Sequence, residues 1–429
     1  ILPAFTMALP PVDAPRDALV SGKFAGPGNL RVDRPGAIMG DTGPLHGRRE
    51  TGIVFPFIGQ PIQGFSGIKP VAGDAGAYWV LTDNGFGTRR NSPDTLLMFH
   101  KIRPDFRSGQ VAIERTIFLS DPLRRIPFRI AYEGTDARYL TGADFDPESI
   151  QPLADGSFMI GEEFGPFLVH VDADGRVLRV IETRMDNQVL MGPDNPALQI
   201  AATPTAGVAY RVRRSGGYEG MALTPDGQTL WAMLEQPLFA ADSDQPEGQF
   251  LRVLEYSVPR GEWTGRTVRF RLEPGATAIG DFNFIDATRA LVIERDNGEG
   301  DPGLACAQGQ QPTRAQPCFP LPARVKRITL VDMAQTDAEG FVRKIGHIDL
   351  MAIRDTEGLA RQRGDLPANA PRDRFTFPFF TIEDVAMVDA DHIIVAMDNN
   401  LPFSAGRHFF RADDNEMILL RVPELLRAR

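Results

Sequence analysis

Glu148-Ser149-Ile150-Gln151-Pro152-Leu153-Ala154-Asp155-Gly156-Ser157-Phe158-Met159-Ile160-Gly161-Glu162-Glu163 is the stretch that decides the fold. A carboxylate opens an apolar run, Asp155-Gly156 makes a tight turn, and a second apolar run ends on two carboxylates. The same phrase recurs from Ser66-Gly67-Ile68 to Thr82-Asp83-Asn84 and from Glu219-Gly220-Met221 to Leu234-Glu235-Gln236. It returns from Asp281-Phe282-Asn283 to Glu294-Arg295-Asp296-Asn297, and from Glu383-Asp384-Val385 to Asp398-Asn399-Asn400. The polar ends of a copy lie about 13 to 17 residues apart, the span of a β-hairpin with a short turn.

Each copy continues into further β-rich runs. Phe167–Val171 and Val177–Ile181 follow the second, Phe250–Val258 and Thr267–Leu272 the third, and Val325–Val331 and Val342–Leu350 the fourth. Tandem four-stranded antiparallel units of roughly 60 to 80 residues specify an all-β chain folded as a β-propeller. Five blades are expected, near residues 55–140, 141–205, 206–275, 276–350 and 376–429, within one domain spanning 1–429. The fifth copy shows only three strands, so a strand from the N-terminal segment 15–35 is expected to complete it and close the ring. A sixth, divergent blade has room in residues 1–55 plus 351–375.

Strand direction gives such a ring a functional face. The start of each innermost strand, the end of the second strand, the loops after it and the connections between blades all share one mouth. The long irregular segments fall there: 85–94, 236–249, 298–323 and 400–414 after second strands, and 184–217 and 352–380 between blades. Loops concentrate where function lives.

That mouth gathers acids. Glu148, Glu219, Asp281 and Glu383 begin inner strands, and Asp83, Glu162, Glu163, Glu235, Glu294, Asp296 and Asp398 end second strands. The alternating run Asp144-Phe145-Asp146-Pro147-Glu148 lies near the same rim. So many carboxylates cannot stay ionised together without countercharge. All-oxygen ligands with almost no His or Cys favour Ca²⁺. Asp83, Glu148, Glu162, Glu219, Asp281, Glu294, Glu383 and Asp398 are the candidate ligands, and Glu163 or Glu235 the candidate base. The competing reading is that the acids cap backbone N–H groups or pair with Arg at strand entrances.

Lys69, Arg89, Arg90, Arg295 and Arg407 lie on the same loops and suit an anionic substrate such as a phosphate ester. Alternatively they only neutralise the acids. Ser66 is the odd member of the ring, and Gly64-Phe65-Ser66-Gly67 is not a nucleophile elbow. It reads as a small polar residue making room for a ligand.

Bulk properties bound the rest. Hydrophobic residues are 42% and charged residues 24% of 429, an ordinary globular composition. A formal charge of -10 without a Lys/Arg block argues against nucleic acid as the main partner. No run of about 18 apolar residues marks a membrane span. The start at Ile1-Leu2-Pro3-Ala4, without Met, fits a mature exported protein or a trimmed one. Cys306 and Cys318 bracket one loop and read as a local disulfide, the alternative being two free thiols. A periplasmic or secreted monomer is expected.

Taken together, Gly64-Phe65-Ser66-Gly67-Ile68, Thr82-Asp83-Asn84-Gly85-Phe86-Gly87, Asp146-Pro147-Glu148-Ser149-Ile150, Gly161-Glu162-Glu163-Phe164-Gly165-Pro166 and Tyr218-Glu219-Gly220-Met221 resemble the bacterial phytase-like family. The resemblance covers about residues 55 to 425. It implies an exported propeller with esterase-like activity of phytase type and, by analogy with propeller phytases, Ca²⁺-assisted phosphoester hydrolysis. Two other readings stand beside it. One is a Ca²⁺-dependent lactonase or carboxyl-esterase using a set such as Glu148, Asn283, Asn84 and Asp398. The other is a non-catalytic ligand-binding propeller.

Overall fold

The computed structural model describes residues 9–18, 24–25, 39–54, 57–198, 210–363, 366–368, 370, 372 and 374–429. Nineteen strands build five radial sheets. Blade one holds β1 (Phe65–Pro70), β2 (Tyr78–Thr82), β3 (Met98–Asp105) and β4 (Gln110–Phe118). Blade two holds β5 (Pro147–Pro152), β6 (Phe158–Glu162), β7 (Phe167–Val171) and β8 (Val177–Glu182). Blade three holds β9 (Tyr218–Leu223), β10 (Thr229–Leu234), β11 (Phe250–Ser257) and β12 (Glu262–Arg271). Blade four holds β13 (Ala278–Phe284), β14 (Arg289–Arg295), β15 (Lys326–Thr336) and β16 (Val342–Asp349). Among the described residues blade five has three: β17 (Thr381–Met387), β18 (His392–Asp398) and β19 (Met417–Arg421). Every neighbouring pair within a blade is antiparallel.

Burial explains the strand compositions. β14 is buried along its whole length and β18 at all but its first residue, so their centres, residues 290–293 and 393–397, read as continuous apolar runs instead of alternating ones. The outer strand β4, with one sheet face in solvent, alternates exposed and half-buried positions through most of its length.

Five apolar layers fill the wedges between blades. Phe99, Ile150 and Ile160 pack between blades one and two, and Tyr218, Met221 and Leu168 between two and three. Met233, Phe282 and Val292 pack between three and four, and Ile293, Ile382 and Val395 between four and five. Phe65, Ile68 and Val80 meet Ala386, Ile394 and Met417 between five and one. Each fully buried side chain of this kind contributes about 1.5–3 kcal/mol.

This last layer packs blade five against blade one, and among the described residues no N-terminal strand completes blade five. Phe24–Ala25 pairs in parallel with Phe57–Ile58 as a separate ribbon and touches no blade-five strand in register. Residues 19–23 and 26–35, most of that 15–35 candidate, lie outside the described residues. The space offered for a sixth blade holds two-stranded ribbons instead, Met39–Asp41 with Glu50–Val54 and Ile353–Arg354 with Arg374–Phe375.

Inner strands approach one another closely around the axis. A Cβ at Gly280 would stand 1.8 Å from the Ile382 carbonyl oxygen, a backbone atom that cannot swing away. Gly280→Ala is therefore expected to cost roughly 3 kcal/mol, the upper end of core overpacking. Gly134→Ala, where an added Cβ meets nothing within 4 Å, serves as control. Equal urea midpoints for the two variants would contradict this packing.

Candidate functional site

The inner strand of every blade carries a register shift against its neighbour just where the repeat places its polar residue. The shifts fall between Phe65 and Ile68, opposite Gly161/Glu162 at Glu148, between Tyr218 and Gly220, between Ile279 and Phe282, and between Thr381 and Asp384. A β-bulge re-aims a side chain that strict alternation would send into a sheet face. Here it lets Glu148, Glu219 and Glu383 turn toward the axis.

They meet the second-strand ends at a cavity of about 270 Å³. Its carboxylates are Asp83, Asp146, Glu148, Glu163, Glu219, Glu235, Glu383 and Asp398, and among the described residues Arg295 is the one cation lining it. Asn84, Ser215, Gln236, Asn297, Thr381, Asn400 and the Phe380 ring complete the wall. A larger groove, about 1110 Å³, lies against the outer strands β8 and β12 and includes none of the repeat's acids.

Arg295 Nη2 is ion-paired to Glu235 Oε1 and stands 3.8 Å from Glu219 Oε1 and 3.7 Å from Glu383 Oε1. Phe380 lies under the guanidinium, 5.7 Å from its carbon to the ring centroid. Ser66 Oγ donates to Glu383 Oε2 at 3.0 Å. Two groups of acids bring ligand atoms within 4.8 Å of one another: Asp83, Asp146 and Glu148, and Glu148, Glu219 and Glu383. Three buried oxygens here, Asp146 Oδ1, Glu163 Oε1 and Glu219 Oε1, have no hydrogen-bond partner.

Electrostatics follow from that crowding. Burial pushes the Glu148 carboxyl well above the usual range, helped by Asp83 and Glu219. Burial and the charge of Asp83 do the same to Asp146, and burial with Glu235 to Glu163. Glu219 and Asp398 are also raised well above normal, by burial first and then by Glu383. Glu383 is pushed up to about 7 by burial, against the pull of Arg295. Burial works to lower the Arg295 pKa, but Glu235, Glu219, Glu383 and Glu163 together hold it above its ordinary value. One guanidinium against eight carboxylates leaves the cavity short of positive charge.

Other residues singled out from sequence lie elsewhere. Glu162 turns away from the cavity and accepts the N–H groups of Phe164, Gly165 and Phe167, organising the turn after β6. Asp281 sits deeper, paired with Lys69 at 3.3 Å and accepting from Asn283 and the Val385 N–H. Lys69 is thus buried against an aspartate and does not line the cavity. Glu294 is bound by Lys344 at 2.9 Å and by Thr329. Asp296 accepts the N–H groups of Arg324 and Val325, and Asn283 bonds to the Val385 carbonyl. Arg89 is tied to the carbonyls of Ala143 and Asp194, Arg90 is exposed, and Arg407 is ion-paired to buried Glu416.

Sequence reasoning reached Asp146 only as part of an acidic run, and it missed Asn297, Asn400 and Phe380. Asn297 directly follows Asp296, as Asn84 follows Asp83, and Asn400 stands two residues after Asp398, which was a usable signal. Phe380 had none, because its position depends on how the 352–380 connection returns to the axis. Lys326 helps hold it there, donating to the Phe380 carbonyl at 2.9 Å. The loop after β14 carries the Cys306–Cys318 disulfide.

The family model described as phytase-like, esterase-like activity of phytase, matches residues 60–401. No curated protein sequence matches the chain significantly. Similar solved structures include a periplasmic gluconolactonase from Pseudomonas aeruginosa, 15% identical, covering 90% of this chain and 99% of that one with a TM-score of 0.32. A calcium-binding regucalcin from Agrobacterium tumefaciens is 11% identical, covering 84% and 92%, with a TM-score of 0.36. A putative 6-phosphogluconolactonase from Bacteroides uniformis is 11% identical, covering 89% and 98%, with a TM-score of 0.31.

Proposed function

The chain belongs to the phytase-like family, described by esterase-like activity of phytase, and on that premise we propose that it is a calcium-dependent hydrolase of phosphate esters acting at the acidic mouth. The observation that carries this reading is the cavity's eight carboxylates around one committed guanidinium, with three buried oxygens left unsatisfied. A hard divalent cation fits that donor set, which has no nitrogen or sulfur ligand, and Ca²⁺ suits carboxylate oxygens in a pocket of this kind. Asp83, Asp146, Glu148, Glu219, Glu383 and Asp398 would hold it. When bound, it would supply Lewis-acid polarisation of a phosphoryl or carbonyl oxygen.

The chain's own groups divide the remaining work. Glu163 is the better base of the two candidates, because its Oε1 is free while Glu235 is taken by Arg295 and by Gln236. A carboxylate with a raised pKa is suited to accept a proton from an attacking water near neutral pH. Arg295, fixed by Glu235 and backed by Phe380, presents its remaining N–H groups to charge that develops on the substrate. Asn84 Nδ2, buried and without a partner, is a further donor. The disulfide supports export to the periplasm or beyond.

One observation favours a second reading, hydrolysis of a carboxyl ester or lactone. Of the five cations expected to bind phosphate, only Arg295 lines the cavity, and it is already ion-paired. An anionic substrate then depends on the bound cation for its recognition. Release of p-nitrophenol from its phosphate and from its acetate, each with CaCl₂ and with EGTA, separates the readings. Calcium-dependent turnover of the phosphate is expected. Turnover of the acetate alone would establish the ester reading, and no turnover of either would leave a binding propeller.

A further inference from the structure

We propose that the mouth takes two divalent cations of unequal affinity that share Glu148, and that Arg295 weakens the second by competing for its carboxylates. This rests on the mouth being a cation site at all, and it concerns how that site is divided.

The acids form two groups with one member in common. Asp83, Asp146 and Glu148 make the first, Glu148, Glu219 and Glu383 the second. A carboxylate has two oxygens, so Glu148 can serve both. Each group also holds one buried oxygen without a hydrogen-bond partner, Asp146 Oδ1 in the first and Glu219 Oε1 in the second. A buried acceptor left unsatisfied is costly: Asp146 Oδ1 has no ion-pair partner among the described residues, and Glu219 Oε1 has only the Arg295 guanidinium, at 3.8 Å and beyond hydrogen-bond reach.

Countercharge distinguishes the groups. Among the described residues no Lys or Arg makes an ion pair with Asp83, Asp146 or Glu148, whereas Arg295 Nη2 lies within 3.8 Å of Glu219 and 3.7 Å of Glu383. The first cation meets three acids and no competing cation. The second must share its acids with a guanidinium that Glu235 and Phe380 hold in place. Two positive groups a few ångströms apart in a poorly solvated cavity repel strongly. The fold thus supplies one strong position and one that is held down by a built-in competitor.

Calorimetric titration of the chelator-stripped protein with CaCl₂, with bound calcium counted by mass spectrometry, tests this. Two unequal steps are expected. Arg295→Gln should tighten the weaker step about tenfold or more, since it removes the repulsion and also frees Glu235, while changing the stronger step less. Asp146→Asn should abolish the strong step and leave the weak one, and Glu219→Gln the reverse. If Arg295→Gln does not fold, these two variants decide the matter. A single equivalent in the wild-type protein, or both steps lost with either variant, would overturn the division into two positions. A weaker step that Arg295→Gln leaves unchanged or loosens would overturn the role of Arg295. No bound calcium would overturn this inference and the cation reading together.

Discussion

Glu163→Gln lowers kcat for the preferred ester by two to four orders of magnitude and leaves calcium binding nearly intact. That range is what a positioned general base contributes. The expectation follows from Glu163 having an unpartnered oxygen at the cavity and belonging to neither group of converging ligand atoms. The amide keeps the shape and loses only proton affinity. Glu235→Gln is the informative contrast, because it releases Arg295 from its ion pair and should act through substrate affinity as much as through turnover. Stopped assays on the two variants, with calcium titrated separately, check this. Full activity in Glu163→Gln would remove it from the mechanism, and a parallel loss of calcium would make it a ligand.

Chelation reverses the ordinary pH dependence of stability. The mouth carboxyls have folded-state pKa values above their unfolded ones, Glu383 at about 7 against 4.5. Without a cation, the folded chain holds protons that the unfolded chain has already released above pH 4.5. Stability from these groups is therefore greatest below about 4.5 and is lost as pH rises toward and through 7. Calcium bound there would replace those protons and remove the slope. At a thousand times its dissociation constant, one ion adds about 4 kcal/mol, or about 5 °C in Tm for a chain of this length. Thermal melts at pH 5 and 8, with EGTA and with CaCl₂, give four values. The largest gap between EGTA and CaCl₂ is expected at pH 8. Equal gaps at both pH values would mean that these acids are not the ligands.

The propeller was legible because the hairpin repeat states both the strand period and the turn, from Glu148 to Glu163 and four more times. Antiparallel direction alone then places Asp83, Glu163, Glu235 and Asp398 at the same mouth as Glu148, Glu219 and Glu383. What the repeat could not reveal was which acid of a pair faces in. Glu162 and Glu163 are neighbours, yet one accepts backbone N–H groups of its own turn and the other lines the cavity. The same holds for Asp281, whose equivalence to the other inner-strand acids was sound but whose charge is taken by Lys69 from the next blade but one around the ring. Basic residues were harder still. Arg89 and Arg407 sit on mouth loops but spend their donors on carbonyls and on Glu416, and loop composition does not encode such partners.

The seam between the fifth and first blades has a mechanical meaning. No strand among the described residues is exchanged across it, so side-chain packing and a few polar bonds keep the ring shut. Ser66 to Glu383 and the Gly67 N–H to Asp384 are two of those bonds. Asp83 on one bank and Glu383 and Asp398 on the other face the same cavity. A cation drawn between the banks would thus act as a clasp, and losing it would loosen the molecule at its join before any blade comes apart.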